Sequence, residues 1–335
     1  MSDTVVALGG NAILESGEGT VADQRARIRE TRDALAPLVE RGHDLTLTHG
    51  NGPQVGHRLL AEEAAEGDPE PLDVLVAETQ AQVGYLLAGE FGDALGGRPT
   101  AVVTRVRVDP DDSAFENPQK PVGPYYSAEE AAAKPFETTA VHRSSGSADG
   151  RDDAAGGATA HRRVVPSPEP EELLEADRIR RLADDDGGPV ICGGGGGVPV
   201  VPADGGDGGD GGDSDDGGTA PDAGAYDGVA AVVDKDRTSR LVAEAVGADT
   251  LLFLTDVDAA YLDYGTPDQR RLAEATPAEV REHAADDQFP AGSMGPKIDA
   301  CATFAGETGG EALIAAPDRL AEALDGDSGT RIVPE

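Results

Sequence analysis

Lysine is scarce in this sequence. Among 335 residues there are 27 lysines and arginines, and only four of them are lysines: Lys120, Lys134, Lys235 and Lys297. Arginine can replace lysine at most solvated positions, but its flat fork does not reproduce the compact point charge of an ammonium group. We therefore expect some of the four lysines to lie where arginine does not suit the chemistry.

Aromatic residues, cysteines and basic segments are also few, and each shortage excludes a class of protein. Aromatic residues make up 4% and tryptophan is absent, so alanine, valine, leucine and isoleucine must form the core. Cys192 and Cys301 give neither a zinc motif nor a disulfide framework, which indicates a reducing compartment. No basic stripe, signal peptide or long apolar run is present. We expect a cytoplasmic protein without nucleic-acid or membrane partners.

Acidic residues are abundant instead. The sequence has 64 aspartates and glutamates and a formal net charge of -37. Repulsion on this scale destabilises a compact chain in dilute buffer, and salt screens it. The composition therefore indicates a halophilic protein that works in high salt.

Short apolar segments alternate with amphipathic ones along the first hundred residues. The predicted strands are TVVAL, DLTLT and TAVVTRVRV, and the predicted helices are Val21–Arg41, Pro53–Glu66 and Asp73–Leu95, with Gly42 as a C-terminal cap. This alternation is typical of a parallel sheet covered by helices on both faces. The alternation returns near the end of the chain. Helices are predicted at about Glu169–Ala183, 237–247, 277–285, 295–308 and 317–324, and strands at PVIC, GVAAVVD, TLLFLTD, EALIAA and TRIV.

The alternation is interrupted twice. Residues 113–163 are rich in proline and show no clear periodicity, which predicts a small subdomain or lid inserted into one domain that spans 1–335. Residues 202–225 carry an aspartate at every third position from Asp204 to Asp213. A calcium-binding repeat is conceivable, but its usual spacing is different, so we interpret this segment as a flexible acidic loop.

Three glycine turns follow three apolar segments. They are Gly9-Gly10-Asn11, Gly50-Asn51-Gly52 and the run that includes Gly194 and Gly195. Ligands of an open parallel sheet bind beyond the carboxyl ends of its strands. Glycines at these places let the backbone come close to the ligand, and backbone amide groups bind its anionic part. The spacing is neither that of the common P-loop nor that of the Rossmann fingerprint. We therefore predict a phosphate site of another kind.

Three of the four lysines stand beside glycine or proline turns. Lys235 lies in VDKD at a predicted helix start, Lys297 in GSMGPKIDA, and Lys120 in NPQKPVGPYY. Point charges suit a transferring phosphoryl group, whose charge is spread over three oxygens. We predict that these three lysines act on phosphate and that Lys134 is an ordinary surface residue.

Several other residues near these turns have more than one interpretation. Asp234 could bind a metal, hold Lys235 in place or cap a helix, and we favour the positioning role. Asp256 and Asp258 follow a strand and could touch a ribose or a metal, or could be ordinary turn residues. We interpret His49 as a structural hydrogen-bonding residue rather than as a base.

Seven segments together resemble the carbamate kinases of the amino acid kinase superfamily. They are VVALGGNAIL, HGNGPQVG, VDPDDSAFENPQKPVGPYY, RRVVPSPEP, CGGGGGVPVV, VDKD and FPAGSMGPKIDA. Many members of the superfamily carry a lysine in the first strand, which VALGG lacks. The resemblance implies that Lys120, from the protruding subdomain, supplies that charge.

The fold and the reaction also follow from the resemblance. It implies a three-layer αβα sandwich around a mainly parallel eight-stranded sheet, with a small protruding subdomain, in a homodimer. It implies reversible transfer of a phosphoryl group between ATP and carbamate, giving ADP and carbamoyl phosphate. Relatives commonly run the reaction toward ATP in arginine fermentation by the deiminase route.

The resemblance assigns roles to particular residues. Lys120, Lys235, Lys297 and Asp234 would be catalytic, with Asp234 orienting Lys235. The glycine turns, with Gly9, Gly10, Asn11, Gly50, Asn51, Gly52, Gly194 and Gly195, would bind the substrate and its phosphate. Asp256, Tyr261 and Met294 would bind the nucleotide, whose phosphates would carry Mg²⁺.

Two features depart from the family, and three other functions compete. The family usually has a tryptophan before the arginine pair of HRRVVPSP, and it has a short turn where the acidic loop stands here. Another kinase of the superfamily, acting on a different small acid, is the main alternative. A regulatory nucleotide-binding module could lose all three lysines, so their presence argues against it. An acidic calcium-binding protein would depend on the loop.

Overall fold

The computed structural model describes residues 2–14, 19–142, 159–185, 187–203, 225–290 and 294–334. In chain order the strands are β1 (Ser2–Leu8), β2 (His43–His49), β3 (Thr100–Ala101), β4 (Arg105–Val108), β5 (Lys120–Tyr126), β6 (Thr138–His142), β7 (Thr159–Val165), β8 (Pro170–Leu173), β9 (Val190–Ile191), β10 (Val198–Pro202), β11 (Tyr226–Gly228), β12 (Thr250–Leu254), β13 (Tyr261–Leu262), β14 (Arg270–Arg271), β15 (Glu274–Ala275), β16 (Glu311–Ala315) and β17 (Thr330–Ile332). The α-helices are α1 (Val21–Glu40), α2 (Gly52–Ala64), α3 (Leu72–Phe91), α4 (Ser113–Glu116), α5 (Ala128–Ala132), α6 (Ala176–Ala183), α7 (Lys235–Val246), α8 (Pro277–Ala285), α9 (Met294–Thr308) and α10 (Leu320–Leu324). Short 3₁₀ turns occupy Gly10–Ala12, Gly194–Gly196 and Pro317–Arg319.

The centre of the molecule is an eight-stranded sheet with the order β15-β17-β16-β12-β1-β2-β9-β3. Its strands pair in parallel except where β17 meets β16. The carboxyl ends of β12, β1 and β2 come together, because Leu8 is in register with both Leu254 and His49. The two glycine turns that follow β1 and β2 therefore open onto the same edge of the sheet.

Helices cover both faces of this sheet. Along β1, Val6 and Leu8 pack in a cluster with residues of α1, α3 and α10. Val5 and Ala7, which point the other way, pack in a second cluster with α6, α7, α8 and α9. Successive side chains of a strand point to opposite faces, so a strand that is apolar throughout is buried on both sides. The predicted three-layer architecture is confirmed.

Two smaller sheets flank the centre. The order β11-β10-β4-β8 forms one, and the antiparallel order β5-β7-β6 forms the other. Of the second sheet, β5, β6 and most of β7 fall in the segment 113–163 that we predicted as a subdomain, and β7 runs on to Val165. The exact boundaries of the subdomain stay a prediction. We call this three-stranded sheet, α5 and the chain between α5 and β6, which includes Lys134, the small sheet domain.

Three local predictions were wrong in detail. TAVVTRVRV is not one strand, because it divides into β3 in the central sheet and β4 in the flanking sheet. The segment predicted as a helix from Glu169 begins as β8 and becomes helical only at α6. GVAAVVD is not a strand, because β11 ends at Gly228 and the chain then runs without regular structure to α7.

Other predictions hold or lie outside the described residues. Gly42 ends α1 with a φ of +82°, the left-handed conformation that glycine adopts without strain. Cys192 and Cys301 are buried and unpaired. Most of the acidic loop, residues 204–224, lies outside the described residues, so its predicted flexibility stays a prediction. Across the described ranges, no helix combines the length and the apolar character that crossing a membrane requires.

Candidate active site

A cavity of about 320 Å³ lies over the carboxyl edge of the central sheet. It is bounded by the glycine turns, by the first residues of α2 and α7, and by the small sheet domain. Of the predicted site residues, those that line it are Gly10, Gly50, Asn51, Gly52, Lys120, Gly195, Asp234, Lys235 and Lys297. The structure thus brings the three predicted lysines together from distant parts of the chain.

Two of the lysines share one buried carboxylate. The ammonium of Lys297 donates to Asp236 Oδ2 at 3.0 Å, and that of Lys235 donates to Asp236 Oδ1. The side chain of Asp236 is only 5% exposed, and a buried carboxylate needs such partners to remain charged. Asp236 therefore holds two positive charges side by side at the cavity wall.

The third lysine is held by a different carboxylate. Lys120 Nζ lies 2.8 Å from Asp234 Oδ2, while Asp234 Oδ1 accepts the amide of Asp236 at 2.9 Å and so caps α7. Burial raises the pKa of Asp234, but the Lys120 ammonium and the Asp236 amide outweigh it and bring the pKa below its ordinary value. Asp234 is thus ionised at neutral pH.

This arrangement corrects our assignment of Asp234 as the residue that orients Lys235. The Lys235 ammonium bonds to Asp236, two residues beyond Asp234. The reason is the capping geometry, because one oxygen of Asp234 takes the helix amide and the other takes Lys120. The sequence pattern Asp-Lys-Asp did not reveal which carboxylate serves which lysine.

The first and second glycine turns approach each other closely. The amide of Gly9 donates to Leu254 O at 3.1 Å, and that of Gly50 donates to Leu8 O at 3.3 Å. A Cβ on Gly50 would stand 3.5 Å from Lys235 Cδ and 3.9 Å from Gly10 Cα. The backbone of Asn11 lies in the turn that follows Gly10, and its side chain is outside the described part of the chain.

The third glycine turn packs beneath the cavity. Gly195 has a φ of +64°, and a Cβ there would come within 2.3 Å of the Asn51 amide. Gly194 lies against the ring of His49, where a Cβ would come within 2.5 Å. It is thus placed under the cavity, while Gly195 reaches the cavity wall. These contacts require glycine at both positions and fix the neighbouring turn of Asn51.

Asn51 and His49 are both buried beside the second turn. The Asn51 amide donates to Thr79 Oγ1 at 3.0 Å, which fixes the plane of the side chain. His49 Nδ1 lies 2.9 Å from Gly50 O, and burial lowers the pKa of His49 to about 4. The ring is therefore neutral at pH 7, with Nδ1 as the donor. This geometry agrees with the structural role that we predicted for His49.

A second cavity of about 220 Å³ contains the three residues that we predicted for the nucleotide. Asp256, Tyr261 and Met294 line it together with aromatic and apolar residues such as Phe289. Lys297 lines both cavities. Asp258 accepts the Tyr261 hydroxyl at 2.9 Å, which gives it a structural contact in this neighbourhood. A ligand with an apolar ring and a phosphate tail could span the two cavities.

Comparison with known proteins places this geometry in a family. The model of the amino acid kinase family matches residues 4–316. The chain is 47% identical over its whole length to the carbamate kinase of Halobacterium salinarum, covering 99% of that protein. It is 40% identical to the carbamate kinase of Thermococcus kodakarensis, with both chains fully covered. The chain belongs to the amino acid kinase family, among the carbamate kinases.

A solved structure supports the same placement. Carbamate kinase from Giardia lamblia bound to AMP-PNP superposes with a TM-score of 0.79 at 33% identity, covering 100% of this chain and 99% of that one. The match confirms the fold that the resemblance implied. Members of the carbamate kinase family are enzymes, so the lysine cavity is the candidate active site of a kinase.

Arg162, like Asp236, is a cavity residue that the sequence analysis missed. Arg162 lines the cavity, its Nε donates to Gly123 O at 3.0 Å, and its guanidinium lies 5.2 Å from the centre of the Tyr125 ring. Burial lowers the pKa of Arg162, although the group stays charged. The arginine pair of HRRVVPSP was visible in the sequence, but only the pairing of β5 with β7 places one member at the cavity.

Proposed function

We propose that this chain transfers a phosphoryl group reversibly between ATP and carbamate, giving ADP and carbamoyl phosphate. The observation that carries the proposal is the convergence of Lys120, Lys235 and Lys297 on one cavity that all three glycine turns also reach. Three point charges and a set of backbone amides suit a phosphoryl group in transfer. The names of the relatives supply the identity of the acceptor.

Each of the two cavities would hold a different part of the substrates. The nucleotide base and ribose would occupy the cavity with Asp256, Tyr261 and Met294, and the phosphates would extend past Lys297 toward Lys235. Carbamate would lie at the other end, where Asn51, Gly52 and Lys120 line the wall. Arg162 stands at that end as well, and its flat fork suits a planar carboxylate-like group.

The reaction needs no general base. In the direction of ATP formation, an oxygen of the ADP β-phosphate forms a bond to the phosphorus of carbamoyl phosphate, and the bond from that phosphorus to the carbamoyl oxygen breaks. Carbamate leaves as an anion, so no proton moves. Catalysis then consists of alignment and charge stabilisation, which agrees with a neutral, buried His49.

Magnesium would enter with the nucleotide. In the parts of the chain that the structure describes, no group of three or more His, Cys, Asp or Glu side chains is arranged to hold a metal. Mg²⁺ in phosphotransferases is commonly bound by substrate phosphates and one or two carboxylates. When bound, it would neutralise phosphate charge, while the nearby Asp234 and Asp236 remain occupied by the lysines.

We also propose a cytoplasmic homodimer that forms ATP in arginine fermentation. The pathway and the location rest on the resemblance and on composition. For the dimer, the outer side of α3 presents Val74, Ala81, Gln82 and Tyr85 to solvent, with Tyr85 67% exposed. Glu78 also lies on this side and pairs with Arg58, so the surface is mixed rather than uncharged. Exposed apolar side chains on so acidic a chain suit a second copy of the chain. Tyr85→Glu should shift sedimentation toward the monomer.

A panel of phosphoryl donors tests the acceptor. The purified chain in molar KCl is given ADP, magnesium and either carbamoyl phosphate or acetyl phosphate. We expect rapid ATP formation from carbamoyl phosphate and little from acetyl phosphate, because the amino group of carbamoyl phosphate can donate hydrogen bonds in a polar cavity and the methyl group of acetyl phosphate cannot. A preference for acetyl phosphate, or no reaction with either, would favour the alternative of a related kinase for another small acid.

A further inference from the structure

Lys134, which the sequence suggested was an ordinary surface residue, lies in a contact between the small sheet domain and the rest of the molecule. Its ammonium is 2.6 Å from Glu63 Oε2 and 4.4 Å from the centre of the Tyr126 ring. The Tyr126 hydroxyl donates to the other oxygen of Glu63. One carboxylate on α2 thus receives two donors from the small sheet domain. We call Glu63, Tyr126 and Lys134 the anchor triad.

The anchor triad and the cavity stand at opposite ends of the same two elements. Lys120 begins β5 and Tyr126 ends it, so they are about 20 Å apart along the strand. Gly52 begins α2 at the cavity, and Glu63 lies in its last turn. The orientation of β5 against α2 therefore sets where the Lys120 ammonium falls relative to the anion site.

The contact between α2 and β5 is close, and glycine and leucine contribute to it along its middle. A Cβ on Gly56 would stand 3.8 Å from Gly123 Cα, and one on Gly123 would stand 3.2 Å from Leu59 Cδ1. Small residues allow this approach but give little resistance to sliding. The polar contacts between α2 and the end of β5 come from the anchor triad.

The anchor triad is also partly screened from solvent. The side chains of Lys134 and Glu63 are 24% and 28% exposed, and Tyr126 is 6% exposed. Partly buried pairs are screened less than exposed ones, which matters for a chain that we expect in molar salt. Burial and the Glu63 carboxylate raise the pKa of Tyr126, so its hydroxyl keeps the proton that it donates.

We propose that Glu63 is a positioning residue which, through Tyr126 and Lys134, fixes the small sheet domain so that Lys120 reaches the carbamoyl phosphate end of the cavity. The inference rests on the proposed function, because Lys120 matters in this way only if the cavity binds that phosphoryl group. It also gives the fourth lysine a reason to be there. A cationic side chain at this position gains from the face of the Tyr126 ring while it pairs with the Glu63 carboxylate.

The test compares Glu63→Gln with Glu66→Gln, a variant that removes the same charge at an exposed position three residues further on. For Glu63→Gln we expect a KM for carbamoyl phosphate that is roughly threefold to tenfold higher. The KM for ADP should stay unchanged, because the nucleotide cavity lies away from the anchor triad. Equal kinetics in the two variants would overturn the proposal.

Hydrogen exchange gives a second reading that does not depend on activity. Amides of β5 and β7 should exchange faster in Glu63→Gln and in Lys134→Met than in Glu66→Gln, with no change in β1. If Glu63→Gln does not fold, Lys134→Met carries the test, and Lys134→Arg should lie closer to the wild type because it keeps the charge. Equal losses in both Lys134 variants would contradict an anchor based on charge.

The two proposals fail in different ways. If the wild type makes no ATP from carbamoyl phosphate, the proposed function falls, while the exchange data still show whether Glu63 holds the small sheet domain. If the wild type is active and Glu63→Gln matches Glu66→Gln in both measurements, only the anchor is overturned.

Discussion

The lysines of the candidate active site are held in two different ways. Lys235 and Lys297 come from the first turns of α7 and α9, and both bond to Asp236. Lys120 comes from the small sheet domain, its side chain is 42% exposed, and it bonds to Asp234. The proposed nucleotide side of the cavity is therefore formed by helices that pack on the central sheet, whereas the proposed carbamoyl side depends on how the small sheet domain is placed.

Loss of the shared carboxylate should have the largest effect. Asp236→Asn leaves two ammonium groups without their buried partner, so we expect kcat/KM to fall about 100-fold or more. Breaking a buried ion pair from one side should also lower the free energy of unfolding by about 3 kcal/mol. Steady-state assays and urea unfolding measure the two effects.

Asp234→Asn is the matched control for this prediction. Asparagine caps helices as well as aspartate does, so α7 should keep its cap and the free energy of unfolding should fall less than in Asp236→Asn. A larger loss of stability in Asp234→Asn would show that we have assigned the central carboxylate to the wrong position.

Removal of one lysine at a time separates the two sides of the cavity. In Lys120→Met the KM for carbamoyl phosphate should rise roughly tenfold, with ADP affinity nearly unchanged. In Lys297→Met the affinity for ADP should fall instead, because Lys297 lines both cavities. Titration calorimetry with ADP and steady-state kinetics measure the two parameters. If each variant lost affinity for both ADP and carbamoyl phosphate to the same extent, the two lysines would not act on different substrates.

Salt should stabilise the whole molecule, and it should weaken the ion pairs of the three cavity lysines to different extents. The net charge of -37 predicts a lower free energy of unfolding in dilute buffer than in molar KCl. Because Lys120 is more exposed than Lys235 and Lys297, its pairing should weaken first as salt rises. Thermal unfolding across a KCl series checks the first part, and equal stability throughout would contradict it.

Acid should lower the free energy of unfolding through protonation of His49. Burial lowers its pKa from 6.5 to about 4, so the unfolded chain binds a proton more readily than the folded one between those values. The stabilising contribution is complete above about pH 6.5 and is lost as pH falls toward 4, by at most about 3 kcal/mol. Unfolding at several pH values should show a smaller slope in His49→Gln than in the wild type.

Local pattern predicted strands at seven of the eight positions of the central sheet and missed β15, which consists of Glu274 and Ala275. The glycine turns after β1 and β2 follow directly from the alternation with α1 and α2. Residues 100–108 contribute strands to two different sheets, and periodicity does not predict where β3 ends and β4 begins. That break is set by the strands with which β3 and β4 pair. The same holds for β8, whose partner β4 is more than sixty residues away.

The sequence predicted which lysines belong to the site, but not which residues they bond to. Scarcity identified Lys120, Lys235 and Lys297 as unusual, and the resemblance gave them roles. The bonds of Asp236, the place of Arg162 and the contact of Lys134 with Glu63 depend on distances between elements that no local pattern encodes. Lys134 shows the limit most clearly, because its neighbours AAAKPF look like any solvated helix end.

The most direct measurement is ATP formation from ADP, magnesium and carbamoyl phosphate in molar KCl by the wild type and by Lys235→Arg. The Lys235 stem passes 3.5 Å from the position of a Cβ on Gly50, so a wider guanidinium should not fit between the turn and Asp236. The account predicts rapid ATP formation by the wild type and a rate about 100-fold lower in the folded variant. Equal rates in the two proteins, or no ATP from the folded wild type, would contradict it.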